Sequence, residues 1–262
     1  MIYFERVSKK YSQNGRESGL VLKNIDFRVH KEQFVCILGP SGCGKTTLLN
    51  LVAGFVAPSS GRILFNNAPV MEPGPERGVV FQDATLFPWL NVRKNVEFGL
   101  RQQGLKASAC SEKASKYLDL IDMADHASVY PYALSGGMRQ RVAIARVLAL
   151  EPKALLMDEP FSALDANTRE HLQDELLNIW TENRHTVVYV THSVEEAAYL
   201  ADRVIIMGPA PANIRADIRL NIKRPRRRSS RELQDAKSML RRCLDALPCC
   251  MKPLILRRHD AN

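Results

Sequence analysis

Five short runs in this chain are apolar almost throughout: Phe34–Leu38, Gly78–Phe81, Ala154–Met157, Thr186–Thr191 and Arg203–Met207. Runs of this length predict strands buried on both faces, as in a parallel sheet. Helix-like stretches lie between them: Thr47–Ala53, a segment from Asn91 to Phe98 with Asn91 as its cap, residues 106–128, and a segment after Ser135. Strands alternating with helices predict an α/β sheet wound with right-handed crossovers. A different rhythm opens the chain. Ile2 and Phe4, then Ile25, Phe27 and Val29, alternate with polar residues. They predict a small antiparallel sheet, with Tyr11–Gly19 as a polar turn. The helical character of residues 86–140 reads as a lobe inserted into the sheet domain. Its apolar run Leu86–Leu90 is either the lobe's core or a partner-docking surface.

Gly39-Pro-Ser-Gly-Cys-Gly-Lys-Thr46 stands between the first buried strand and the first helix. The pattern G-x-x-x-x-G-K-[ST] in that context is a phosphate-binding loop. Gly39, Gly42 and Gly44 allow the backbone N–H groups to converge on one anion. Lys45 is placed to neutralise outer phosphates, and the Thr46 hydroxyl to ligate Mg²⁺. Three later strands end in polar groups. Gln82 follows one and could reach the metal or an attacking water. Asp158 and Glu159 end another, placed to hold Mg²⁺ and to activate water respectively. His192 ends the third. Ser135-Gly-Gly137 opens a helix and reads as a second anion site, because two glycines there imply a close approach to the backbone. Tyr11 either stacks on an adenine ring or plugs a hairpin end.

Charge and cysteines refine this picture. The net charge of +9 over 262 residues is uneven. After residue 221 stand twelve Lys or Arg against four Asp or Glu, so eight of the nine net charges belong to the tail. The body is close to neutral, which argues against a broad nucleic-acid-binding face. Within the tail, Leu233, Leu240, Leu244 and Leu247 mark a basic amphipathic helix over about residues 231–247, with a loose end from Pro248. That helix is either solvated or in contact with anionic lipid. No apolar run reaches the ~18 residues of a membrane span. The first residues show no basic segment followed by an apolar one, so no secretory signal is expected. Six cysteines without a C-x-x-C pair read as free thiols.

Tyr11, the phosphate loop, Gln82, Leu134-Ser-Gly-Gly-Met138, Met157-Asp-Glu-Pro160 and His192 occur in that order. Together they resemble the nucleotide-binding subunit of an ATP-binding cassette (ABC) transporter, over about residues 2–207. The resemblance implies a P-loop NTPase (RecA-like) parallel-sheet core with an N-terminal antiparallel subdomain and an inserted helical subdomain. The cassette would span residues 2–221, with a basic extension at 222–262. ATP would lie against Tyr11 and Gly39, Pro40, Ser41, Gly42, Cys43, Gly44, Lys45, Thr46 and Thr47, with Mg²⁺ on Thr46, Gln82 and Asp158. Glu159, His192 and Gln82 would serve catalysis. Two copies would pair head to tail, so that Ser135, Gly136 and Gly137 reach the partner's ATP and Asp165 crosses the interface.

Pro75–Gln82, Phe87-Pro-Trp89, Asn95–Gly99 and Asp158–Ala166 are similar to the taurine, aliphatic sulfonate and nitrate importers. That implies a peripheral subunit on the cytoplasmic face of the inner membrane, a separate permease and an external solute-binding protein, with no nucleic-acid partner. An ATPase of this type acting on nucleic acid or ribosomes, or the motor of another ABC transport system, is the competing reading. Met138 departs from the Gln common after the signature glycines, and the basic tail departs from a generic importer end.

Overall fold

The computed structural model describes residues 1–13, 16–246 and 254–255. The elements in chain order are β1 (Ile2–Gln13), β2 (Arg16–Val29), β3 (Phe34–Leu38), α1 (Lys45–Ala53), β4 (Ser60–Phe65), β5 (Ala68–Pro69), β6 (Arg77–Val80), α2 (Val92–Gln102), α3 (Ala107–Leu120), α4 (Gly136–Leu148), β7 (Ala154–Asp158), α5 (Ala166–Asn183), β8 (Thr186–Thr191), α6 (Val194–Leu200), β9 (Arg203–Met207), β10 (Ile214–Arg219), α7 (Arg231–Asp245) and β11 (Leu254–Ile255). Two compact units divide the chain: Met1–Pro73 with Thr186–Asn262, and Gly74–His185.

The first unit holds the antiparallel sheet β2-β1-β4-β5 and a second sheet built around β3. Strand β3 pairs in parallel with β8 on one side and β9 on the other. Strand β10 adds antiparallel to β9, and β11 parallel to β10. Every residue of β3, β8 and β9 is buried, which is why these runs carry no alternation. Phe4 stacks on Phe27 at 4.4 Å between ring centroids, joining β1 to β2 as their alternating apolar positions require. The reading of Tyr11–Gly19 as a turn needs correction. The two strands run on to Gln13 and from Arg16, with Lys10 opposite Leu20 and Ser12 opposite Glu17. A backbone ladder needs no apolar side chains, so polarity alone did not mark a turn.

The second unit pairs β6 in parallel with β7 and packs α2 against α3 and α4. Asn91 caps α2 by accepting from the Lys94 amide at 2.9 Å. Residues 106–128 are not one helix: α3 stops at Leu120, Asp122 adopts φ 52°, and a single 3₁₀ turn follows at Ala124–His126. The run Leu86–Leu90 is not buried throughout. Leu86 is buried, whereas Trp89 is 70 % exposed.

The tail is more ordered against the body than a solvated helix requires. Helix α7 buries Leu233, Ala236 and Leu240 and packs on α6. Leu247 and the expected loose end from Pro248 lie outside the described residues apart from β11.

Candidate active site

In the first unit the phosphate loop follows directly from β3. Gly42 and Gly44 adopt φ of 75° and 102°, conformations that side chains rarely take. A Cβ on Gly39 would lie 2.9 Å from the Met207 carbonyl oxygen, and one on Gly44 2.9 Å from Leu22 and Val21. Gly44 is the N-cap of α1, and no side chain caps that helix, which suits an anion at its N-terminus. The Lys45 side chain is buried, and its Nζ donates to the carbonyl oxygens of Gly39 and Pro40 at 3.0 Å each. It therefore lies folded over the loop, within reach of whatever the loop's amides bind. Thr46 is exposed beside it. Tyr11 is 38 % exposed, and its hydroxyl lies 3.4 Å from Thr47 Oγ1. Lys9 Nζ sits 5.0 Å from the centre of the Tyr11 ring. A ring this open at the loop's edge is no hairpin plug.

Register brings His192 to the same place. Leu38 is the parallel partner of Thr191, so the phosphate loop and His192 leave adjacent strands at the same edge. This is the carboxyl edge, where ligands bind in open α/β sheets. The turn around His192 is tied down. Thr191 Oγ1 donates to Glu196 Oε2 at 2.6 Å, Tyr189 OH donates to the same oxygen at 3.1 Å, and the Ser193 amide donates to Thr191 Oγ1 at 3.0 Å. Ser193 Oγ accepts from the Glu196 amide as the cap of α6.

The second unit repeats the arrangement. Val80 pairs with Met157, so Gln82 and the Asp158-Glu159 pair emerge at the carboxyl edge of neighbouring strands. Strand β6 ends at Val80, two residues short of Gln82, which is exposed. Asp158 is buried and Glu159 half-buried. Glu159 adopts φ 43°, and its carbonyl accepts both from the Ser162 amide at 3.1 Å and from Ser162 Oγ at 2.9 Å. A non-glycine residue held in the left-handed region costs roughly 1–3 kcal/mol and persists where its surroundings dictate it.

Ser135 caps α4, accepting from the Met138 amide at 3.3 Å. The two glycines that follow it have a packing reason. A Cβ on Gly137 would meet Thr168 Cγ2 at 2.8 Å, and one on Gly136 would touch Leu164. Asp165 caps α5 by accepting from the Thr168 amide at 3.0 Å, and this hydrogen bond holds its carboxyl below the usual range. Ser135-Gly-Gly137 and Asp165 therefore sit at neighbouring helix starts.

Residues 22–162 match the family model for ABC transporters. The chain belongs to the ABC transporter family. This ABC ATPase is 46 % identical over 216 residues to a taurine import ATP-binding protein of Ruegeria pomeroyi, covering 82 % of this chain and 81 % of that one. It is 47 % identical over 207 residues to a nitrate import ATP-binding protein of Synechocystis sp., covering 79 % and 78 %. A dimeric ATP-binding cassette solved in a post-hydrolysis state with ADP and Pi superposes with a TM-score of 0.75 at 30 % identity, covering 85 % of this chain and all of that one. As an ATP-binding subunit of the family, the chain hydrolyses ATP.

The sequence reading gave two residues of this ABC ATPase no role of their own. Asn95 on α2 accepts from the Phe87 amide at 2.8 Å and donates to the carbonyls of Phe87, Leu90 and Asn91 at 3.2, 2.9 and 3.0 Å. It staples the loop that presents Trp89. Glu196, the buried anchor of the His192 turn, was signalled by Ser193-x-x-Glu196, a capping-box spacing.

Proposed function

We propose that this ATPase energises uptake of a small oxyanion solute (taurine, an aliphatic sulfonate or nitrate) through separate permease subunits. The observation that carries this reading is the likeness to taurine and nitrate import ATP-binding proteins along about four-fifths of the chain. The subunit lies peripherally on the cytoplasmic face of the membrane, and an external binding protein selects the solute. Among the described residues no helix is long and apolar enough to cross a membrane, in keeping with a permease made of other chains. Residues 2–221 form the cassette, residues about 86–140 its helical lobe and 222–262 an extension. No nucleic acid is involved.

The site residues take these roles. The amides of Gly39–Thr47 and the Lys45 ammonium bind the β- and γ-phosphates, and Tyr11 stacks on the adenine. The oxygen donors of Thr46, Gln82 and Asp158 suit Mg²⁺, a hard cation that favours carboxylate, hydroxyl and amide oxygens. When bound, Mg²⁺ neutralises charge on the phosphates. Glu159 accepts a proton from the attacking water, and His192 donates to the γ-phosphate. The chain acts as a head-to-tail homodimer. Ser135, Gly136 and Gly137 face the partner's nucleotide, and Asp165 lines the interface. Closing the dimer around ATP moves the permease, and phosphate release reopens it.

The test is capture of the tagged protein from gently solubilised membranes, followed by ATPase assay of the captured complex with each solute. The expected result is a co-purified polytopic permease and turnover that rises with taurine, an alkanesulfonate or nitrate in the presence of the binding protein. Ribosomes or DNA-repair proteins without a permease would sink the importer reading.

A further inference from the structure

The run Lys223-Arg-Pro-Arg-Arg-Arg228 has no part in the roles above, yet three of its arginines turn onto the body. Arg226 is only 6 % exposed, and its Nη1 donates to the carbonyls of Ala198 and Tyr199 at 2.9 Å each. Arg224 Nη2 donates to the carbonyl of Leu200 and to Asp202 Oδ1. The Arg228 guanidinium lies 3.8 Å over the ring of Tyr199. The last three carbonyls of α6 are thus all hydrogen-bonded by arginines. Cations suit this end of a helix, where unsatisfied carbonyls gather negative charge.

At its other end α6 is held again. Arg241 of α7 pairs with Glu195, three residues after His192. Leu233, Ala236 and Leu240 of α7 are buried as α7 packs on α6. Helix α6 has only seven residues, too few to be stable without tertiary contacts. Its first turn is welded to the His192 turn through Ser193, Glu196 and Thr191. Whatever fixes α6 therefore fixes His192.

Stability alone is a poor account of Arg226. Burial pushes its pKa down to about 10, with the Arg224 charge adding to the effect. Its Nε and Nη2 are buried without a hydrogen-bond partner among the described residues. A buried cation incompletely hydrogen-bonded is costly, and an apolar residue of similar volume would often be as stable. What the Arg226 side chain provides is geometry, since the two hydrogens of its buried Nη1 grip two successive carbonyls at once.

We propose that residues 224–245 form a brace that sets the position of α6 and, through it, of His192, with Arg226 and Arg241 as positioning residues for ATP hydrolysis. The inference rests on the reading of His192 as the contact to the γ-phosphate. It also gives the basic run an inward task in place of a lipid surface, because Arg224, Arg226 and Arg228 are committed to α6 and its flank.

The test uses the full chain with R241E, E195R, the E195R/R241E double variant and R226M, Met being close in volume and uncharged. Steady-state ATPase kinetics and amide exchange of the 190–196 segment without nucleotide are measured together. We expect R241E and R226M to raise exchange at 190–196 and to lower kcat by roughly tenfold, while KM for ATP stays within about twofold. The double variant should recover both quantities to within about twofold of wild type, which a general loss of packing would not do. R241E keeps the test informative if R226M fails to fold. Wild-type exchange in R241E, or raised exchange with unchanged kcat, would overturn the proposal. Exchange is read without turnover, so absent ATPase activity in the wild type would count against the ATPase role while the brace was still decided.

Discussion

Thr168 stands so close to Gly137 that a Cβ on the glycine would approach Thr168 Cγ2 to 2.8 Å. Two effects oppose each other in Gly137→Ala. Alanine in a helix is favoured by up to about 1 kcal/mol, whereas overpacking costs roughly 1–3 kcal/mol. Sterics should win, with a net loss of about 1 kcal/mol in urea unfolding. In a Thr168→Ala background the same change should become neutral or stabilising. Equal effects in both backgrounds would show that the two side chains do not meet.

Glu159 combines a strained backbone with the general-base role proposed above. Asn tolerates the left-handed region better than Glu. Glu159→Asn should therefore leave Tm at or above the wild-type value while lowering kcat by at least about a hundredfold, the usual scale for loss of a general base. Glu159→Gln keeps the side-chain size and should accumulate an ATP-bound dimer, read by size-exclusion chromatography with ATP. Normal turnover in either variant would remove Glu159 from the chemistry.

Glu175 gives a pH-dependent test. It pairs with Arg141 at 3.2 Å and His171 at 2.9 Å, yet its carboxyl sits above the ordinary value of 4.5, because burial outweighs both cations and Asp122 adds repulsion. A group whose pKa is raised on folding contributes stability below its unfolded pKa and loses it as pH rises through the folded one. Glu175→Gln should thus gain in Tm relative to wild type on going from pH 4 to pH 7. A difference in Tm that does not move with pH would contradict it.

Trp89 and Asn95 test the reading of Leu86–Leu90 as a partner-docking surface, with the permease as the proposed partner. Trp89→Ala removes an exposed ring and should leave Tm and uncoupled ATPase near wild type while weakening co-purification of the permease. Asn95→Ala deletes four hydrogen bonds in a buried setting and should cost about 2–4 kcal/mol as well as weakening capture. Full capture by both variants would place the permease elsewhere on the chain.

The strand edges were legible because each buried run gives way to polar residues or glycine: Leu38 before the phosphate loop, Met157 before Asp158-Glu159, Thr191 before His192. Spacing alone could not reveal that Leu38 pairs with Thr191, since register is a relation between distant strands. The hairpin at Tyr11 was misread because polarity resembles a turn when the ladder is out of view. The arginine run was read only as charge. Its partners are main-chain oxygens of α6, and carbonyl groups leave no mark in a sequence.

That last fact has a genetic consequence. The oxygens of Ala198, Tyr199 and Leu200 belong to the backbone, so no substitution at those positions deletes them. One side of the contact therefore has no side chain to lose, and the other rests on a few codons far along the chain. In a saturation screen Arg224 and Arg226 should stand out as intolerant sites in a segment whose composition suggests none.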